Sequence, residues 1–471
     1  MPGKLYPRLK EFVQAPYFNK KQEVALLLNY LLQTAPDFKD ELTDKNIVWL
    51  AICPDLSYDE KELSYWMSDL LHLIENFIVV EEIDKAPMQK YSILLKQYNQ
   101  MGLVKHFQAT MNSLRKQLEH YPYRDSEYYN LQYLLNYNEN VFFERQKEHR
   151  YDESLQRTIE FFDHYYLSHK LKYCCEIVNR QSIVNSSYEP LLLKEILNYL
   201  NNTPQDLYPP IAVYQTILNC FLHLNDQSYF AKLKDVLSNN TQYFSRMEAR
   251  DIYLLTANYC VKQINKGVGR FFEELFIIYK EMIELGLIFD AENQISPWSY
   301  KNIVEVSIRN KQYQFAEDFI KNYKHYLAPA LMNNAYAYNL ANLYFQQTRY
   351  KEAMKLLQTV SFDDLFYSTE SKMLLLRIYY ELNEKEPMLS LFESFRMYLR
   401  RNKQITDEKR KVYLNFIKFL VRIDKIRRGN TPELAELKKR IDETKNTANA
   451  HWLISKIDEK MSKYTNHAKR Q

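Results

Sequence analysis

The chain predicts an all-α fold, an α-solenoid of helix–turn–helix pairs behind an N-terminal helical block. Three observations carry that expectation. Apolar residues recur at three- and four-residue spacing almost without a break, as helix faces require. Glycine is scarce, six residues in 471, with none from Leu103 through Lys266, so tight hairpins have little to build on. The segment Ala335–Leu365 reads as one unit, with Tyr338, Leu340, Ala341 and Tyr344 on a first helix and Tyr350, Ala353, Leu357 and Val360 on a second. Small alanines fall where the two helices approach. Such a pair buries its apolar faces only against stacked neighbours.

The N-terminal block, residues 1–120, contains helices at about Lys20–Thr34, Leu42–Ile52 and Asp59–Phe77. The third has the clearest stripe: Leu63, Trp66, Met67, Leu70, Leu71, Ile74 and Phe77 over four turns. Phe77–Glu82 is the one strand candidate and equally a helix end. With a strand at Ile78–Ile83 the block would be a winged helix whose third helix enters a DNA groove. That helix carries Asp59, Glu60, Glu62, Asp69 and Glu75 against Lys61 alone, and phosphates repel such a surface. A degenerate winged helix used for packing is the other form of the idea.

Residues 121–295 read as irregular helical pairs. Thr158–Leu200, Ala212–Asn239 and Met247–Leu285 each hold two helices' worth of periodicity, separated at Asn201–Pro210 and Ser238–Gln242. Phe271–Leu287 is strongly amphipathic, with Phe272, Leu275, Phe276, Tyr279, Met282 and Ile283 on its apolar side.

Residues 296–401 show a repeat register. Tyr300, Ile303, Val304 and Ser307 precede Tyr313, Ala316 and Ile320; Ala337, Leu340, Ala341 and Tyr344 precede Tyr350, Ala353 and Leu357; Lys372, Leu375, Leu376 and Tyr379 precede Lys385, Met388 and Phe392. Ala316, Ala353 and Met388 are 37 and 35 residues apart. The stretch resembles the tetratricopeptide-repeat family, whose period is about 34. In the third unit Leu376 and Met388 stand in place of small residues. The resemblance implies a right-handed α-solenoid whose first helices line a peptide groove, here at Lys301, Asn302 and Glu305, then Tyr338, Asn339 and Asn342, then Met373 and Arg377. Asn amides hydrogen-bond a peptide backbone, and Lys301 and Arg377 pair with acids. Lys301 and Asn339 match the carboxylate clamp of repeat cochaperones, whereas Glu305, Glu370 and Leu374 stand where Asn or basic residues belong.

Residues 402–471 are expected to be basic capping helices. From Arg396 to Gln471 there are 21 Lys/Arg and 9 Asp/Glu, a net +12; the whole chain is +4, so the first 395 residues carry −8. The clusters Arg400–Lys403, Lys409–Lys411, Arg427–Arg428 and Lys438–Arg440 alternate with Tyr413, Phe416, Ile417, Leu420, Leu434, Leu437, Ile441, Trp452, Leu453 and Ile457. That spacing suits helices that close a stack and turn a polar face outward. Clustered cations also suit phosphates, although Asp407-Glu408, Asp424 and Asp442-Glu443 interrupt them.

No chemical motif emerges. Gly267-Val268-Gly269 follows a helix and not a strand, so it reads as a helix cap. His164 and His169 are five apart and diverge on a helix. Neither Ser186-Ser187 nor Cys174-Cys175 sits on a glycine-flanked elbow. The adjacent acids Glu81-Glu82 and Glu273-Glu274 read as solvated helix faces. Five cysteines without paired spacing suit a reducing compartment. Met1–Tyr17 lacks a signal-like apolar core, and the longest apolar runs are far too short to span a bilayer.

The expectation is a cytoplasmic, non-catalytic protein-binding or scaffold protein without cofactor or metal, inserted in no membrane, with a protein or peptide partner held at Lys301, Asn302, Tyr338, Asn339, Asn342 and Arg377. The alternative is a regulator that touches nucleic acid through the basic C-terminal helices or the N-terminal block.

Overall fold

The computed structural model describes residues 3–145, 151–181, 188–203, 208–360, 365–427, 429–444 and 446–468. Among them the secondary structure is helical, 22 α-helices and short 3-10 turns without a strand. Neighbouring helices pack in sequence order. The chain divides into two compact units: Met1–Cys174 with Glu189–Gln215 and Val236–Tyr243, and Cys175–Tyr188 with Thr216–Asp235 and Phe244–Gln471.

The first unit begins with α1 (Tyr6–Gln14), α2 (Gln22–Thr34), α3 (Lys45–Ile52) and α4 (Glu60–Lys85). Asp44 and Asp59 cap α3 and α4, each accepting from two backbone amides of the first turn. Val13, Val24, Leu27, Leu63 and Phe77 form a shared core, with Trp49 and Trp66 stacked at 5.1 Å. The strand candidate is overturned: Phe77–Glu82 continues α4 without a break, and so does the wing position Ile78–Ile83. One reason is on its inner face, where Phe77 and Glu81 are both buried one turn apart. Glu81 is also a correction to the solvated reading of Glu81-Glu82, because its carboxylate is buried and takes Arg8 Nη2 at 2.8 Å. Next come α5 (Pro87–Gln100), α6 (Val104–Glu119) and α7 (Ser126–Arg145) around Leu95, Phe107, Met111 and Leu114. The long α8 (Glu153–Gln181) and short α9 (Leu193–Asn201) follow.

The remaining helices are α10 (Pro209–Leu222), α11 (Ser228–Asn240), α12 (Arg246–Asn265), α13 (Phe271–Glu284), α14 (Pro297–Arg309), α15 (Tyr313–Tyr323), α16 (Pro329–Gln346), α17 (Tyr350–Leu357), α18 (Leu365–Leu382), α19 (Lys385–Arg401), α20 (Asp407–Lys425), α21 (Thr431–Glu443) and α22 (Ala450–Ala468). Gly267 has φ 88° in the turn after α12, where the amide of Val268 reaches the Gln263 carbonyl at 3.1 Å. That is the helix cap read from the sequence.

From α14 to α19 the helices form three successive pairs, α14 with α15, α16 with α17 and α18 with α19. Pro297 and Pro329 open α14 and α16 near N1, where no amide hydrogen is needed. Ala316, Ala341 and Ala353 are wholly buried between helices. In the third unit the larger Leu376 and Met388 are buried as well, packed with Phe392 and Phe395. Tyr300 ties its pair together by donating to the Ile320 carbonyl at 2.7 Å. Each pair turns through one left-handed residue, Lys311 (φ 58°), Thr348 (φ 60°) and Asn383 (φ 58°). At each turn the following amide returns to a carbonyl five residues back: Gln312 to Ser307, Arg349 to Tyr344 and Glu384 to Tyr379, all at 2.9 Å. These are Schellman closures repeated at the sequence period.

Candidate functional site

Helices α14, α16 and α18 pack side by side, each in contact with the next. The residues read as groove-lining are all on these three helices, and the structure treats them differently. Lys301 and Asn302 are half-buried on α14. Lys301 Nζ lies 3.8 Å from Glu305 one turn on, and Asn302 is hydrogen-bonded to the buried hydroxyl of Tyr279 on α13. Asn342 is half-buried on α16. These three keep accessible surface.

Tyr338, Asn339 and Met373 are buried. Tyr338 Oη donates to Glu370 Oε2 at 3.3 Å, and Tyr413 from α20 donates to Glu370 Oε1 at 3.1 Å. Burial first, and then the neighbouring carboxylate, push both phenols well above their ordinary pKa. Asn339 donates Nδ2 to the Ala335 carbonyl of its own helix at 2.8 Å, while its Oδ1 has no partner. An amide wholly enclosed in this way offers nothing to a peptide on the surface. Glu370, which departs from the clamp pattern, is the acceptor that holds α16, α18 and α20 together.

Arg377 is half-buried and sandwiched. Its guanidinium is 4.2 Å from the Phe345 ring of α16 and 5.3 Å from the Trp452 ring of α22. Nη1 reaches Asn449 Oδ1 at 3.4 Å. Burial pushes its pKa down to about 10, and aromatic faces on both sides compensate the cation for part of its lost water. One turn along, Glu381 accepts from Trp452 Nε1 at 3.1 Å and pairs with Lys456 Nζ at 2.8 Å. Helix α22 therefore covers the C-terminal part of the α18 face. The open part lies toward α14 and α16, with Lys301, Glu305, Arg309 and Asn342.

The basic C-terminal helices carry many of their own counter-ions. Arg396 pairs with Glu393, Arg410 with Asp407, Lys438 with Asp458 and Arg440 with Glu436. A cleft of about 160 Å³ lies between α20 and α21, lined in part by Lys418, Arg422, Arg440 and Glu443. Glu433 stands 3.8 Å from Arg422, so the cleft presents mixed charge. Arg428 of the Arg427–Arg428 cluster lies outside the described residues.

The other sequence candidates do not assemble into chemistry. His164 stacks on Tyr208 at 3.8 Å, and burial pushes the His164 and His169 pKa values down. None of the five cysteines forms a disulfide, and all but Cys53 are buried. Ser186-Ser187 lies outside the described residues. Among the described residues no group of three or more His, Cys, Asp or Glu is arranged to hold a metal ion, and no helix is long and apolar enough to cross a membrane. Comparison with protein-family models, with curated proteins and with solved structures finds no match.

Proposed function

We propose that the chain is a non-catalytic protein-binding scaffold, a right-handed α-solenoid of tetratricopeptide-like units that holds a peptide segment along its first helices. The observation that carries the reading is the side-by-side packing of α14, α16 and α18, which sets Lys301, Glu305, Arg309 and Asn342 on neighbouring first helices with none of the four buried. A face with two cations, one acid and an amide suits an extended segment of mixed charge, bound by side-chain pairing and backbone hydrogen bonds. Thiols that form no disulfide suit a cytoplasmic setting. The nucleic-acid alternative is the weaker one, because intrahelical and interhelical acids neutralise much of the basic end.

A peptide-display selection on the full chain tests this. Enriched peptides should bind wild type and lose binding to a Lys301→Glu, Asn342→Arg double variant, while a distant surface variant such as Lys403→Glu keeps it. Peptides that bind all three proteins equally would place recognition elsewhere.

A further inference from the structure

Helix α8 is apolar on two opposite sides, and among the described residues only one of them is buried. The inner side carries Leu167, Ser168, Leu171 and Cys174, all buried. On the far side Leu155, Ile159, Phe162, Tyr166 and Tyr173 are 38% to 56% exposed, and His169 completes the row. The spacing along the row is four, three, four, three, four. At ~100° per residue these six side chains fall within an arc of about 80°, and the row runs for ~27 Å. A straight seam of this kind, with heptad spacing and mostly exposed among the described residues, is the pattern of a helix that pairs with another helix. On the neighbouring α7, Tyr133 packs on Phe162 at 5.3 Å, and the exposed Tyr137 widens the patch beside it.

We propose that this face of α8 is a homodimer interface, with the α8 helices of two copies lying antiparallel across a two-fold axis near His164. Two features select a second copy in that orientation. The row is symmetric about its centre: antiparallel pairing sets Leu155 against Tyr173, Ile159 against His169 and Phe162 against Tyr166, so each large residue meets a large or aromatic one. The charge along the helix is asymmetric. Beside the row, its first half carries Asp163, with Asp152 just before the first turn, whereas its second half carries Lys170 and Arg180 with Glu176. Antiparallel copies bring acidic half to basic half, whereas parallel copies bring like to like. The contact is isologous, as a closed dimer requires. A seam ~27 Å long and about 10 Å wide covers on the order of 300 Å² per copy, which places the dimer in the weak, concentration-dependent class.

Sedimentation equilibrium of the full chain at rising concentration, into the high micromolar range, should show a monomer–dimer equilibrium. The double variant Ile159→Glu, Tyr166→Glu should remain monomeric throughout while keeping the wild-type circular dichroism spectrum, since both positions are exposed. A second test reads orientation. Phe162→Cys and Tyr166→Cys copies, mixed and oxidised, should cross-link to each other much faster than either does alone. A wild-type monomer at every concentration overturns the proposal. So does a dimer that survives the double variant, or one in which each single-cysteine copy cross-links to itself, the parallel outcome.

Discussion

The hydroxyl of Tyr338 donates to Glu370 at 3.3 Å and so joins α16 to α18, while Tyr413 takes the other oxygen of the same carboxylate at 3.1 Å. One acid thus satisfies two phenols brought in by two further helices. Removing it leaves a buried hydroxyl and a half-buried one to find other acceptors. Glu370→Ala should destabilise the second unit by about 1–3 kcal/mol in urea titration. Glu370→Gln, which retains one acceptor oxygen, should cost clearly less. Equal midpoints for Glu370→Ala and wild type would remove the carboxylate from the account of how these helices are joined.

Thr348 closes the α16–α17 turn with φ 60°, a conformation in which a β-branched side chain crowds its own backbone. The side chain is exposed, so little packing depends on it. Thr348→Gly should raise stability by about 0.5–1 kcal/mol, relief of left-handed strain outweighing the entropy that glycine adds to the unfolded chain. Asn383→Gly should gain less, because asparagine tolerates this region. A loss of stability in Thr348→Gly would mean that the turn is not strained.

These turns show where sequence reasoning stops. The helices they join are legible: alanines 37 residues apart mark the pairs, and Pro297 and Pro329 mark helix starts. Gly267 announces its own turn through its chemistry. Lys311 and Thr348 do not, because nothing local favours a left-handed lysine or threonine; packing of the helices on either side forces it. The candidate site divides the same way. Lys301 and Asn342, read as groove-lining from repeat position alone, are half-buried. The covering of Arg377 by Trp452 is set by tertiary packing 75 residues downstream, and Trp452 belongs to a stripe that reads only as core. Asn339 has the right residue type and position and is nonetheless enclosed.

Lys372 is buried on α18, donating to Ser368 Oγ at 2.7 Å with its Nζ 4.5 Å from the Tyr398 ring centroid. Burial pushes its pKa down to about 8. Between that value and the ordinary lysine value the unfolded chain binds a proton that the folded chain has released, so this residue's contribution makes the fold more stable as pH rises through that window. Lys372→Met should therefore raise the melting temperature at pH 7 and flatten the stability profile between about pH 8 and 10 relative to wild type. If the two profiles run parallel across that range, the lysine titrates normally and the burial argument fails.

Glu381 and Lys456 make the opposite case. Their side chains are only 14% and 11% exposed and meet at 2.8 Å. Burial works against the charge on Lys456, yet its bonds to Glu381 and Glu459 hold its pKa above the ordinary lysine value. Stability from this group is complete below the unfolded lysine pKa and is lost as pH rises through the folded one. Removing either partner leaves a charge with little water, a cost of about 1–3 kcal/mol once residual exposure is allowed for. Lys456→Met and Glu381→Leu should each be destabilising. The double variant should be much less so than their sum, because it removes both charges together and leaves neither buried without its main partner. A double-mutant cycle by urea denaturation measures the difference. The same cycle separates the ion pair from Trp452, whose indole would lose its acceptor in Glu381→Leu and keep it in Lys456→Met. Additive effects would mean that α22 is held on α18 by its apolar residues Leu453 and Ile457, with the ion pair contributing only orientation.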